Sequence, residues 1–195
     1  SSLPNLNIVK EYYNIPFDTY AIAMYHPVTT EYKNLEHQID IFVNSLIDSN
    51  KNYILIYPNN DLGTDEILKS YELFKGNPKI KIFPSLRFEY FLKLLSESQF
   101  IIGNSSAGIR EAPFYNVPTI DIGSRQNNRG QAKSIQNVSY SKQEIRRAIE
   151  SSTIQENKRI DISEFGEGNS NTLFLHLLNS EEIWKVNCQK QFQDL

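Results

Sequence analysis

Hydrophobic and polar residues alternate along the chain in blocks that predict strands and helices in turn. Apolar runs with the length of a buried strand occur at 20–25, 53–57, 79–83, 100–102 and 118–122, with a weaker one at 134–138. Helical spacing of apolar residues lies near 35–47, 64–74, 88–95, from 106 onward and at 142–151. This alternation predicts right-handed βαβ units and a parallel sheet covered on both faces.

The ends of the chain are less regular. We expect a short helix or a linker at 1–17, one α/β domain at 18–160 and a helical tail at 161–195. Within the tail a glycine-rich turn at 165–170 precedes two helical segments, around 172–178 and 181–192. Thr29 or Thr30 is the expected N-cap of the helix near 35–47.

Polar loops follow the predicted strands at 26–31, 59–61, 84–85, 104–108 and 123–130. The carboxyl ends of parallel strands meet at one edge of a sheet, and ligands of such sheets bind outside that edge. His, Asn, Ser and Arg residues are concentrated in these loops. The pattern therefore indicates a ligand site rather than a purely structural domain.

The stretch 100–113 is the most informative of these loops. A strand ends at a Gly-Asn-Ser-Ser-Ala-Gly turn, and a helix begins near Ser106. A helix start presents free N–H groups and a positive dipole end, which favour an anion such as phosphate. Glu111 lies little more than one turn further on, where it can reach a hydroxyl beside that anion. The simpler interpretation is an ordinary capped helix start, and both can hold together.

Composition narrows the function classes. The 195 residues carry a net charge of −3, which argues against an electrostatic nucleic-acid binder but leaves room for a local basic pocket. A single cysteine, Cys188, and three scattered histidines predict no disulfide framework, no metal site and no cofactor. No apolar run has transmembrane length and the start lacks a signal-peptide pattern, so we expect a cytoplasmic protein without membrane partners. The Ser-Ser start and single Met predict a portion of a longer protein.

Four separated segments, at 26–31, 57–63, 103–111 and 123–129, together resemble the UDP-N-acetylglucosamine 2-epimerases. They are most similar to the hydrolysing branch, which makes N-acetylmannosamine for sialic-acid synthesis. The non-hydrolysing branch usually carries His-Arg-Arg-Glu-Asn where this chain has His26-Pro27-Val28-Thr29-Thr30. The resemblance implies a Rossmann-like parallel sheet flanked by helices, as in the C-terminal domain of the glycosyltransferase-B fold, with UDP bound in the 18–160 domain.

The resemblance also implies roles for individual residues. Ser105 and Ser106 would hold the diphosphate, and Glu111 would accept hydrogen bonds from the ribose hydroxyls. Arg125 would neutralise the phosphate charge that grows as UDP leaves. The simpler alternatives are a helix cap for the serines, a solvated helix-face carboxylate for Glu111 and a surface arginine for Arg125.

Three further residues complete the predicted site. His26 would face the phosphates or the sugar as a donor or general acid, and Asn59 would contact the nucleotide. Phe83 would border the uracil, although it fits a hydrophobic core equally well. With Arg125, His26 forms the predicted catalytic pair.

The expected partners are UDP, UDP-N-acetylglucosamine and an N-terminal domain of the same protein that supplies the acidic residues acting on the sugar ring. A further copy of the chain is a second candidate partner, because an apolar face of the tail lacks a predicted cover. Two alternatives remain open: an epimerase of a related diacetamido sugar or of the non-hydrolysing type, and a nucleotide-binding α/β domain without chemistry of its own. The fragment alone is expected to be inactive.

Overall fold

A computed structural model describes residues 3–130, 132–152 and 168–186. Its centre is a sheet of six parallel strands with the order β3-β2-β1-β4-β5-β6. The strands are β1 (Ala21–Met24), β2 (Tyr53–Ile56), β3 (Ile80–Phe83), β4 (Ile101–Gly103), β5 (Thr119–Ile122) and β6 (Ile135–Val138). This is the order of the Rossmann-type doubly wound sheet, in which the chain reverses direction of travel between β1 and β4.

Helices alternate with the strands, except that no helix among the described residues lies between β5 and β6. They are α1 (Leu6–Tyr12), α2 (Leu35–Ser49), α3 (Thr64–Ser70), α4 (Phe88–Ser96), α5 (Ala107–Phe114), α6 (Lys142–Ser152) and α7 (Ser170–Leu178). Short 3₁₀ turns precede α2 (Thr29–Asn34), follow α3 (Tyr71–Phe74) and follow α7 (Ile183–Lys185).

The sheet separates two hydrophobic cores. One face packs against α2, α3 and α6 through residues such as Phe42, Ile67 and Ile145. The other face packs against α1, α4 and α5 through residues such as Val9 and Leu94. Successive side chains of a strand point to opposite faces, so a sheet covered on both sides requires the nearly continuous apolar runs seen in the sequence.

The predicted α/β fold and parallel sheet are confirmed, and the weak sixth strand is present. Of the two alternatives for the N-terminal stretch, a helix forms, and its Val9 is fully buried in the second core. The capping prediction for α2 was wrong. Thr29 and Thr30 lie in the preceding 3₁₀ turn, and Asn34 occupies the cap position without a side-chain hydrogen bond.

The chain divides into two compact units, 1–161 and 162–195. In the second unit α7 is followed by one 3₁₀ turn, and Val186 is extended. Of the helical segment predicted at 181–192, the part up to Val186 forms only the 3₁₀ turn Ile183–Lys185, and 187–192 lie outside the described residues. No helix among the described residues is long and apolar enough to cross a membrane.

The reversal between β1 and β4 creates the crevice in which doubly wound sheets bind ligands. Gly103, the last residue of β4, has φ +136, and a Cβ there would lie 1.8 Å from the carbonyl oxygen of Met24. Only glycine permits this close approach of β4 to the end of β1. The loops after β1 and β4 consequently leave the sheet side by side.

Candidate active site at the carboxyl edge of the sheet

His26 and Asn104 join the loops after β1 and β4. The backbone N–H of His26 donates to Asn104 Oδ1 over 2.7 Å, and Asn104 Nδ2 donates back to the His26 carbonyl over 2.8 Å. Both residues are buried, Asn104 completely. A reciprocal pair of hydrogen bonds in a dry environment holds the two loops in one relative position.

The imidazole of His26 connects a third loop. Its Nδ1 accepts the backbone N–H of Asn59, which follows β2, over 3.1 Å. Burial, reinforced by the Arg125 charge and opposed by Asp61, lowers the pKa of His26 to about 4. The ring is therefore neutral at pH 7 with its proton on Nε2, which makes it a hydrogen-bond donor and not a general acid at that pH.

Arg125 brings the loop after β5 to the same place. Its Nη1 donates to the backbone carbonyl of Asn104 over 3.1 Å, and the side-chain amide of Gln126 donates to the same oxygen over 2.8 Å. No carboxylate of the described residues lies within ion-pair distance of Arg125. Burial and the neighbouring charge of Arg129 lower the pKa of Arg125, while Asp61 and Asp121 raise it. The half-buried guanidinium is thus held by a neutral acceptor and keeps its charge for a ligand.

The helix start predicted near Ser106 is present. Ser106 is the cap residue of α5, but its hydroxyl makes no capping bond; Ser105 Oγ instead accepts the N–H of Ala107 over 3.3 Å. Ser106 is exposed, whereas Ser105 is buried. Among the described residues, the backbone N–H groups of Ser105 and Ser106 have no acceptor. These donors, the Ser106 hydroxyl and the positive end of α5 form a place where an anion is favoured.

Glu111 lies on α5, one turn beyond its start. Its Oε2 is buried and has no hydrogen-bond partner among the described residues. The alternative of a fully solvated helix-face carboxylate therefore does not describe this oxygen. A buried acceptor without a donor is costly, which is typical of a group whose partner is a ligand.

Phe83 and Asn59 differ in how far they enter the site. The Phe83 ring is buried in the second core, 5.2 Å from the Tyr13 ring centroid, and its carbonyl accepts the Tyr57 N–H. The Phe83 side chain is thus mainly a core residue, as the simpler alternative predicted. The side chain of Asn59 is exposed at the end of β2, and its backbone carbonyl accepts the Thr64 hydroxyl.

Several residues of this region are absent from the sequence-based prediction. Asp121 is buried on β5 with Oδ2 unpaired among the described residues, and burial, opposed by Arg125, raises the pKa of Asp121 to about 6. The sequence feature that could have revealed Asp121 is a carboxylate inside an otherwise apolar strand. Glu31 accepts the Gln38 side-chain amide over 2.7 Å and also the Ser124 hydroxyl, which ties the loop after β5 to the segment before α2. Nothing in the sequence pattern reveals that tie.

The predicted residues therefore divide into two groups. His26, Asn59, Ser105 and Arg125 belong to four loops that hydrogen bonds or chain continuity bring to one edge, and Ser106 and Glu111 lie at the same edge, at the cap of α5 and within that helix. Phe83 lies mainly in the core beside that edge. Among the described residues, no group of three or more His, Cys, Asp or Glu side chains is arranged to hold a metal ion.

Comparison with known proteins identifies relatives over nearly the whole chain. A sequence model of the UDP-N-acetylglucosamine 2-epimerase family matches residues 2–179. The UDP-N-acetylglucosamine 2-epimerase of Neisseria meningitidis serogroup B is 44% identical over 198 residues, covering all of this chain and 52% of the relative. A Campylobacter jejuni GDP/UDP-N,N'-diacetylbacillosamine 2-epimerase (hydrolyzing) is 37% identical over 119 residues, covering 58% of this chain and 30% of the relative.

Solved structures share the fold. The UDP-GlcNAc 2-epimerase of Methanocaldococcus jannaschii, in complex with UDP-GlcNAc and UDP, superposes with a TM-score of 0.69 at 23% identity. The match covers 89% of this chain and 50% of that one. This likeness shows a Rossmann-like fold of the kind that forms one half of glycosyltransferase-B-type structures.

The chain spans about half the length, or less, of these relatives. The family match nevertheless runs from residue 2 to residue 179, and so includes every loop of the candidate site. On this evidence, the chain belongs to the UDP-N-acetylglucosamine 2-epimerase family.

Proposed function

We propose that this chain is the UDP-binding half of a hydrolysing UDP-N-acetylglucosamine 2-epimerase. The observation that carries the proposal is the connection of His26, Asn104 and Arg125 beside the start of α5, at the β1–β4 reversal. Donors from three loops and one cation face the place where parallel sheets of this type bind nucleotides. The name of the M. jannaschii complex, which contains UDP-GlcNAc and UDP, supports the same ligand class.

The diphosphate has the best-defined place in this proposal. The unpaired N–H groups of Ser105 and Ser106 and the positive end of α5 bind one phosphate, with the Ser106 hydroxyl as a further donor. Arg125 binds the other, since its guanidinium uses one N–H for Asn104 and retains the rest. These groups are already positioned, so little ordering of side chains opposes binding.

The nucleoside lies beyond the diphosphate. Glu111 accepts the ribose hydroxyls at its buried, unpaired Oε2. The exposed turn at Pro84 and Ser85 reads the uracil through its backbone groups, with the Phe83 ring as the apolar floor beneath. The exposed side chain of Asn59 contacts the nucleotide from the neighbouring loop.

The chemistry we propose is anti elimination followed by hydration. A base removes the C2 proton of the sugar, the C1–O bond breaks, and UDP leaves with the bonding electrons. Water then adds its hydroxyl to C1 and a proton to C2 on the opposite face, which yields N-acetylmannosamine. In this chain Arg125 stabilises the negative charge that grows on the leaving phosphate, and the neutral His26 donates from Nε2.

The groups that handle the C2 proton belong, in this proposal, to an N-terminal domain outside the sequence. The half-length match to the Neisseria relative supports such a domain. We propose that it also covers the exposed apolar side chains of the tail, which include Leu173, Phe174 and Trp184. Association of two copies of this chain through the same side chains is the competing outcome, and sedimentation of the chain alone distinguishes the two.

The hydrolysing outcome has separate support. The segment His26-Pro27-Val28-Thr29-Thr30 departs from the non-hydrolysing pattern, and the name of the Campylobacter relative includes hydrolysis. That relative's diacetamido sugar is the second candidate substrate class. Turnover of the longer parent protein with both nucleotide sugars decides between them: free N-acetylmannosamine with UDP supports the proposal, whereas an epimerised nucleotide sugar overturns the hydrolysing type.

Calorimetry of this chain with UDP tests the binding role. Wild type should bind UDP, Glu111→Ala should bind at least about tenfold more weakly because a hydrogen bond to a charged group is lost, and exposed Glu36→Ala is the control. No UDP binding at millimolar concentration would remove the basis of the proposal. A parent protein that binds UDP yet turns over neither sugar nucleotide would instead favour a non-catalytic nucleotide-binding domain.

A further inference from the structure

Asn104 uses both ends of its buried side-chain amide on a single neighbour. Oδ1 accepts the His26 N–H and Nδ2 donates to the His26 carbonyl, at 2.7 and 2.8 Å. The arrangement needs one donor and one acceptor at fixed separation. Aspartate lacks the donor above its pKa, alanine lacks both groups, and glutamine carries one methylene too many.

The backbone of Asn104 is fixed as tightly as its side chain. Its N–H donates to the Met24 carbonyl over 3.1 Å, at the end of β1. Its own carbonyl accepts Arg125 Nη1 and Gln126 Nε2, so both lone pairs of that oxygen have a partner. Asn104, which directly follows β4, thus contacts the end of β1 and the loop after β5.

The contacts of Asn104 reach the two groups that we propose bind the diphosphate, the His26 imidazole and the Arg125 guanidinium. The Asn104 amide holds the His26 peptide. The imidazole accepts the Asn59 N–H at Nδ1, so Nε2–H is the nitrogen that can donate to another group. The Arg125 guanidinium is held by the Asn104 carbonyl. A shift of Asn104 would therefore move the donor and the cation together.

We infer that Asn104 is a positioning residue that sets the His26 donor and the Arg125 cation in register with the start of α5. The inference rests on the proposed function for its consequence in UDP binding, but the positioning itself is a property of the chain without ligand. Both ends of the Asn104 side-chain amide are engaged by His26, so Asn104 acts through His26 and Arg125.

The first arm of the test uses NMR of the chain without ligand. In wild type the His26 imidazole should show the Nε2–H tautomer, the Asn104 amide protons should exchange slowly, and the Arg125 guanidinium should rotate slowly. His26 is one of three histidines, so its signals are assignable. Asn104→Ala should release the tautomer restriction and speed the Arg125 rotation. Asn104→Asp keeps the acceptor for the His26 N–H, so the tautomer and the Arg125 rotation should change less than in Asn104→Ala.

Asn44→Asp is the matched control, because it adds the same charge on α2, where the native amide bonds only to the Asp40 carbonyl. Far-ultraviolet circular dichroism checks that each variant is folded. A folded Asn104→Ala that retains the wild-type tautomer and Arg125 rotation overturns the inference. So does rapid exchange of the Asn104 amide in the wild-type chain, a measurement that depends on no variant.

The second arm compares UDP with uridine by calorimetry. Displaced donors should weaken UDP about tenfold in Asn104→Ala and leave uridine nearly unchanged, because uridine has no phosphate. Equal losses for both ligands point to general destabilisation and overturn the inference. If wild type does not bind UDP while Asn104→Ala still releases His26 and Arg125, the positioning role stands and the proposed function fails.

Discussion

Asn59 donates its backbone N–H to Nδ1 of His26 across 3.1 Å. This bond fixes the tautomer of the ring, since a nitrogen that accepts a hydrogen bond carries no proton. It also connects the loop after β2 to the loop after β1. Protonation of His26 at Nδ1 would break the bond and place a charge in a buried environment, so the histidine resists protonation in the folded chain.

The first prediction concerns the pH dependence of stability. The pKa of His26 falls from 6.5 to about 4 on folding, so the unfolded chain binds a proton between these values that the folded chain does not. His26 therefore makes stability rise with pH in that window. Asp121 acts in the opposite direction, because its pKa rises from 3.8 to about 6 on folding and stability falls as pH increases through that interval.

Two variants separate these contributions. His26→Gln should remove the rise, so that its unfolding free energy falls relative to wild type as pH increases from 4 to 6. Asp121→Asn should remove the fall, so that its unfolding free energy rises relative to wild type as pH increases from 4 to 6. Urea denaturation at half-unit pH intervals gives the curves, with exposed His37→Gln as the control. A His26→Gln curve parallel to wild type would show that the folded-state pKa is not depressed.

The second prediction concerns Gly103. An alanine Cβ would lie 1.8 Å from the Met24 carbonyl oxygen in a backbone with φ +136, so β1 and β4 must separate. Gly103→Ala should cost more than about 3 kcal/mol of unfolding free energy, because the atoms that the new Cβ would meet belong to the Met24 backbone and not to a flexible side chain. Gly76→Ala is the control: its φ is +76 but nothing lies within 4 Å, and about 1 kcal/mol is expected. Equal losses in chemical denaturation would contradict the close-approach argument.

The third prediction separates phosphate from nucleoside recognition. Arg125→Ala should weaken UDP by about tenfold to a hundredfold, because charge-assisted hydrogen bonds to phosphate are lost, and should leave uridine almost unaffected. Exposed Arg147→Ala removes the same charge from α6 and serves as the control. Calorimetry with both ligands gives the ratio. Similar losses for UDP and uridine would exclude a phosphate role for Arg125.

The fourth prediction concerns the loop at 123–130. Glu31 accepts the Ser124 hydroxyl and the Gln38 amide, so its carboxylate holds this loop against the segment before α2. Ser124→Ala should raise amide hydrogen exchange in the loop and weaken UDP about threefold, the value of one modest hydrogen bond. Ser96→Ala, whose hydroxyl bonds only within α4, is the control. Unchanged exchange in Ser124→Ala would show that the bond does not restrain the loop.

The order of elements follows from the sequence because local chemistry determines it. Runs such as Ile54, Leu55 and Ile56 can only be buried on both sides, and helical spacing in 35–47 creates one apolar stripe. Strands of this kind that alternate with helices predict a parallel sheet with its polar loops at one edge. The sixth strand, β6, departs from the pattern, because it is mostly exposed and follows β5 in the element order. The start of α5 at the Asn-Ser-Ser turn can likewise be predicted from neighbouring residues. The family resemblance also rests on short segments of sequence, those of the loops.

The relations inside the site required the tertiary structure. Asn104, Gln126 and Glu31 are ordinary polar loop residues in the sequence, and only the β3-β2-β1-β4-β5-β6 order brings their partners within reach. Phe83 lies mainly in the core because Tyr13, directly after α1, packs against its ring. These two residues are seventy positions apart in the sequence. The sequence thus determined which groups stand at the edge, because strand ends are local features. Long-range packing decided which of them touch and which carry a proton, because burial and neighbouring charge exist only in the folded chain.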